Sequence, residues 1–124
     1  MMKKILITKI AILISVMLYA QTDVLPPQLV FPANEAVKQM PDTELDWYAS
    51  AGVGEVTYRV ELDEDAGFSN PVVYNTELSS KKLENLFFGH TYYWHVKAID
   101  DTGESEWSDS YSFTVISRIV PNKP

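Results

Sequence analysis

The 124-residue chain has no cysteine. Disulfide staples are therefore excluded, and the fold must rest on an apolar core, which about 100 residues can supply. No N-x-S/T acceptor occurs: Asn70 precedes Pro71, and Asn75 precedes Thr76 and Glu77. Glycine is scarce, with 5 in the chain, and no glycine-rich loop leads from a strand into a helix to cradle phosphate. No G-x-S-x-G elbow is present, and the two histidines, His90 and His95, have no nucleophile at a catalytic spacing. The expectation is a non-enzyme with no cofactor and no catalytic residue. The RGD tripeptide is also missing, which removes support for integrin-type adhesion.

Positive charge is sparse and badly distributed. Three of the 10 basic residues, Lys3, Lys4 and Lys9, lie in the first twenty positions, which otherwise read as an apolar run ending Leu18-Tyr19-Ala20. A charged start, an apolar middle and a small residue at the end form the layout of a secretory signal peptide. The uninterrupted run from Ile10 to Ala20 is too short to span roughly 30 Å of hydrocarbon. The expected division is residues 1–20 as signal peptide, 21–118 as one domain, and 119–124 as a tail or linker stub. The product is then exported, to the periplasm, the cell surface or the medium. All 17 acidic residues lie beyond the leader, so the mature part sets 7 basic against 17 acidic side chains, a formal net of −10. Such a surface repels phosphate backbones and anionic lipid. The partners expected are proteins or cell-envelope components, with carbohydrate as the alternative, and the domain is expected to be a monomer.

What the mature chain does have is short alternating runs separated by polar, glycine or proline punctuation, without an amphipathic helix of useful length. That pattern predicts antiparallel strands. They fall at Leu25 to Phe31, Glu44 to Tyr48, Val56 to Leu62, Val72 to Thr76, Leu83 to Leu86, Gly89 to Asp100 and Tyr111 to Val115. About seven short strands in roughly 100 residues is the signature of a β-sandwich. In the richest stretch, "GHTYYWHVKAID", side chains alternate between the faces of a strand. Tyr92, Trp94, Val96 and Ala98 fall on the core side; Tyr93, His95 and Lys97 fall on the other. Most of the aromatic mass is thus predicted to be architecture.

Leu86, then Gly89-x-x-Tyr92-x-Trp94-x-Val96-x-Ala98, then "DTGESEWS" and "YSFTV", resembles the second half of a fibronectin type III domain. Leu45-x-Trp47 resembles the second strand of that family and Tyr58-x-Val60 the third. The run "TYYWHVKAIDDTGESEWSDSYSFTV" is similar to fibronectin-like modules of secreted and cell-surface bacterial proteins. The resemblance implies an all-β, immunoglobulin-like seven-stranded sandwich with Trp47, Tyr58, Leu86, Tyr92, Trp94, Val96, Trp107 and Phe113 as its structural hallmarks. It implies that Tyr92 forms a tyrosine corner, bonding backbone upstream. Trp107-Ser108 resembles half of the tryptophan–serine box of cytokine receptors, in which the tryptophan stacks on cations of the neighbouring strand. Lys97 and Arg59 are the cations in range here, and His95 stands where a basic residue would strengthen the stack.

Two acidic loops offer hard oxygen ligands. One holds Glu61, Asp63, Glu64 and Asp65; the other holds Asp100, Asp101, Glu104 and Glu106. Neither has the D-x-D-x-D-G spacing of a calcium loop, so no metal site is expected. Two surfaces have the aromatic or apolar anchors that binding uses. One is Tyr93, His95, Lys97 and Trp107 on a sheet face, the preferred binding surface; the other is Phe87-Phe88 with His90 in a turn. Sugar platforms are expected among the outward tyrosines, Tyr48 and Tyr93, with Tyr74 of uncertain phase.

Overall fold

A computed structural model describes residues 23–118. Nine strands make up the regular structure of these residues, and no helix long and apolar enough to cross a membrane occurs among them. The predicted leader and tail lie outside the described residues.

The strands are β1 (Leu29–Phe31), β2 (Ala36–Gln39), β3 (Glu44–Trp47), β4 (Thr57–Asp63), β5 (Val72–Thr76), β6 (Ser80–Lys82), β7 (Thr91–Asp100), β8 (Gly103–Glu104) and β9 (Tyr111–Val115). One sheet runs β1-β3-β6. The other runs β2-β9-β7-β4-β5, with β8 folded back on the end of β7. All pairings are antiparallel except β2 with β9. The two sheets face each other across a core of Leu45 and Trp47 from β3, Tyr58, Val60 and Leu62 from β4, and Tyr92, Trp94, Val96 and Ala98 from β7. Phe113 and Val115 of β9 complete it with Leu83 and Leu86. The strict alternation of buried and half-exposed residues along β4 and β7 is the predicted parity. Each large apolar side chain buried this way contributes about 1.5–3 kcal/mol.

Two sequence expectations need correction. The first strand is Leu29–Phe31, because Pro26 and Pro27 withhold backbone donors from the segment before it. The strand placed at Leu83 to Leu86 lies at Ser80–Lys82 instead. Leu83 and Leu86 are buried, but they stand three apart rather than two. They reach the core from a loop tied down by Leu83 N–H to Thr43 C=O and Leu86 N–H to Pro41 C=O. Beside the seven expected strands, β2 and β8 are short additional pairings set by their neighbours. β2 carries a register shift and a left-handed Lys38 with φ 57°, so it shows no alternation to read.

Trp47 and Trp94 anchor the centre. Trp47 meets Tyr58 at 5.5 Å and 68°, and Trp94 meets Tyr111 at 6.2 Å and 84°, both edge to face. Such pairs add about 0.5–1.5 kcal/mol beyond area burial. Their indole N–H groups are buried without a hydrogen-bond partner among the described residues.

Candidate interaction surfaces of the sandwich

The two tyrosines predicted as hallmarks hold loops to strands through their hydroxyls. Tyr92, buried and stacked on Phe113 at 5.8 Å, accepts the Phe87 N–H at 2.9 Å. That is the expected tyrosine corner. Burial also pushes the Tyr92 phenol up, which keeps the hydroxyl protonated. Tyr58 accepts the Ser50 N–H at 2.9 Å and so fixes the turn after β3.

The outward residues of β7 form a ladder of stacked groups. His95 lies between Phe68 and Trp107, parallel to both at 11° and at 3.8 and 3.9 Å between centroids. Lys97 Nζ sits 4.4 Å from the Trp107 ring centre. One face of the indole is already taken by the imidazole, so the ammonium occupies the other. His95 Nε2 meets Glu61 Oε1 at 2.8 Å across the β4–β7 pair. Burial between the two rings holds the His95 pKa below its ordinary value, against the opposing pull of Glu61; Lys97 adds to the lowering. Lys97 Nζ also reaches Glu104 at 3.2 Å, and Arg59 reaches the same carboxylate at 3.9 Å. Lys97 is thus the cation on Trp107, whereas Arg59 pairs with Glu104.

Sequence reasoning took Trp107-Ser108 as a stacking box and missed what its serines do. β9 pairs with β7 no further than Trp94, opposite Tyr111. Past that point Val96 and Ala98 present backbone groups that β9 does not meet. Ser108 N–H donates to Val96 C=O at 2.8 Å and Ser108 Oγ accepts the Val96 N–H at 2.9 Å. Ser105 repeats the pattern on Ala98 at 2.8 and 2.9 Å. Buried backbone polar groups need partners, and two serines three residues apart supply them while Trp107 between them enters the ladder. The S-x-x-S spacing was the available signal.

Other predicted site residues scatter. Tyr93 is half-buried, opposite Asp63 and Ser112. Tyr74 faces the core side in register with Val60, and Lys81 lies 5.1 Å over its ring. Tyr48 is 64% exposed and borders an open groove of about 540 Å³ with Leu25, Gln28, Trp107, Asp109 and Tyr111. At one end of the sandwich, the Ile116 N–H donates to Gln39 C=O and the Gly89 N–H to Ile116 C=O. This brings exposed Met40 to the same end as exposed Phe87 and Phe88. His90 tilts against Phe87 at 5.2 Å and binds Glu64 at 2.6 Å.

Three aspartates of the acidic loops spend their carboxylates on backbone, while Glu61, Glu64 and Glu104 pair with side chains. Asp63 accepts N–H groups of Asp65 and Asn70, and Asp65 accepts that of Ser69. Asp100 accepts from Thr102 and from Val53 N–H at 2.7 Å. That contact pins the turn before β4 to the turn after β7, where Gly54 has φ 72° and a Cβ would meet Asp101. Hydrogen bonds from Ser69 and Thr102, respectively, hold the Asp65 and Asp100 carboxyls below the usual range. No group of three or more potential metal ligands is gathered among the described residues.

No protein-family model and no curated protein matches the chain by sequence. Solved structures do match by shape. The fibronectin type III domain of human collagen alpha-1(XX) chain is 19% identical with a TM-score of 0.60, over 82% of this chain and 93% of that one. The sixth such domain of human fibronectin type III domain containing protein 3 is 20% identical with a TM-score of 0.59, over 83% and 93%. A β-1,2-glucanase from Parabacteroides distasonis matches at 21% identity and a TM-score of 0.57, over 78% of this chain but only 13% of the glucanase. The sandwich, the tyrosine corner and these likenesses agree: the chain has the fibronectin type III fold.

Proposed function

We propose that this domain is a non-catalytic, exported module that binds a protein or cell-surface partner, or spaces other domains. The observation that carries the reading is the contrast between two surfaces. On β7 the aromatic and cationic side chains are satisfied by one another, so the ladder stiffens the sheet. At the end of the sandwich Met40, Phe87 and Phe88 remain exposed, with the His90 ring tilted against Phe87. Exposed aromatic and methionine side chains are what interface cores use.

The test immobilises the exported protein and captures partners from the envelope of its own source, with two variants in parallel. Phe87→Ser with Phe88→Ser should lose the partner and keep the melting temperature. Trp107→Ala should lose stability and keep the partner below its melting temperature. A partner lost only with Trp107→Ala would transfer the binding role to the ladder. Export itself is checked by intact mass, expected to begin at Gln21.

A carbohydrate-binding accessory role is the second reading, favoured by the open groove under Tyr48 with Asp109 and Gln28 as polar groups. Both faces of Trp107 are covered, so Tyr48 would have to provide the platform. A glycan array separates the readings, because Tyr48→Ala should abolish any glycan signal and leave protein capture intact.

A further inference from the structure

The two sheets end in four outer strands, β1, β2, β5 and β6. Outer strands present unpaired backbone groups, and proteins blunt them with proline, lysine, bulges or shortness. Three of the four are blunted. β1 has three residues, a register shift and Pro32 directly after it; β2 has a register shift and left-handed Lys38; β6 has three residues, two of them Lys81 and Lys82. β5 has none of these devices. It is five residues of Val-Val-Tyr-Asn-Thr in unbroken register with β4, with no proline and no charge. Val72 is 54% exposed and Val73 46%.

The direction of its free backbone groups follows from the register. Residues along an antiparallel strand alternate in which neighbour their N–H and C=O face. Val96 spends both groups on Ser108, away from β4. Its pair Val60 therefore turns its own groups to β5, onto Tyr74. Val72, Tyr74 and Thr76 face β4, and Val73 and Asn75 turn their N–H and C=O outward. Charge frames this edge: Asp63 and Asp65 lie at one end and Glu77 at the other, while Lys81 approaches over the Tyr74 ring rather than at either end.

We propose that β5 is a strand-addition site for an extended segment with alternating β-branched residues and lysine or arginine at both ends. Main-chain bonds to Val73 and Asn75 would bind it and the acidic ends would place it. A second copy of the chain is disfavoured, because two-fold antiparallel pairing sets Glu77 of one copy beside Asp63 and Asp65 of the other. The proposal rests on the interaction reading above and adds a second surface, the β5 edge, to the apolar end already named.

The probe is a synthetic peptide, Lys-Thr-Val-Thr-Val-Thr-Lys, added to isotope-labelled protein while amide exchange is followed residue by residue. At nine-tenths occupancy the Val73 and Asn75 amides should exchange about tenfold more slowly, with β2, at the opposite edge of the same sheet, unchanged. Binding should weaken in high salt and with serine at the peptide ends. Val73→Pro removes an outward N–H that β4 does not use, and should abolish protection at Asn75. Should that variant not fold, the peptide N-methylated at alternate residues makes the same cut from the other side and should protect nothing. Three results overturn the proposal. One is equal protection by the N-methylated peptide. Another is protection of Val73 and Asn75 without peptide, growing with protein concentration, which assigns the edge to a second copy. The third is no protection of β5 at saturating peptide; if the peptide then shifts Phe87 and Phe88, the interaction reading survives without strand addition.

Discussion

Replacing Tyr92 by Phe deletes one oxygen and nothing else. The ring keeps its place under the loop and its stack on Phe113. What is lost is the acceptor for the Phe87 N–H at 2.9 Å, in a part-buried position. A net hydrogen bond is worth about 0.5–1.5 kcal/mol, and leaving its partner without a bond moves the loss toward the upper end. In a domain of roughly 100 residues, 1 kcal/mol is about 4–8 °C in melting temperature. Tyr92→Phe should therefore melt about 4–10 °C lower, with its urea midpoint reduced and its slope unchanged. Tyr93→Phe is the control, since that side chain stands on the opposite face of β7, and it should stay within about 0.5 kcal/mol of the parent. Equal losses at the two positions, or no loss at Tyr92, would refute both the corner and the strand parity behind it.

Ser108→Ala removes the acceptor of the buried Val96 N–H and should cost about 1–3 kcal/mol, against less for a serine exposed elsewhere; urea titration of Ser108→Ala beside Ser110→Ala measures it. Because burial holds the His95 pKa below its ordinary value of about 6.5, the folded state binds fewer protons there than the unfolded chain. The stability His95 contributes is present above pH 6.5 and is lost as pH falls through its lower folded pKa. Melting temperature should drop between pH 7.5 and 5.5 and do so less in His95→Phe; an equal drop in both assigns the effect elsewhere. Asp65 and Asp100 add a separate loss below about pH 4, by the same sign. Millimolar calcium should move the melting temperature by no more than about 2 °C, since Asp63, Asp65 and Asp100 already serve backbone N–H groups and Glu61, Glu64 and Glu104 already pair with side chains; a larger rise reversed by chelator contradicts this.

The parity of β4 and β7 could be read from the sequence because a two-residue period is a local property. Val60, Leu62, Trp94, Val96 and Ala98 declare their face without reference to any partner. The tyrosine corner was legible only through resemblance, since nothing local says that a hydroxyl at Tyr92 will find the Phe87 N–H. Leu83 and Leu86 misled because burial does not require a strand; a loop held by two hydrogen bonds brought them to the core. The ladder was half legible. Trp107 and Lys97 could be paired on paper, but Phe68 comes from a loop 27 positions before His95, and only packing places it on the imidazole. Whether an edge is open is likewise a tertiary fact. Val72–Thr76 reads as an ordinary strand, and its composition contains no sign that β4 would be its sole neighbour. Composition and period are set by each residue's own side chain, whereas pairing depends on which distant backbone arrives, and that is decided when the two sheets close on each other.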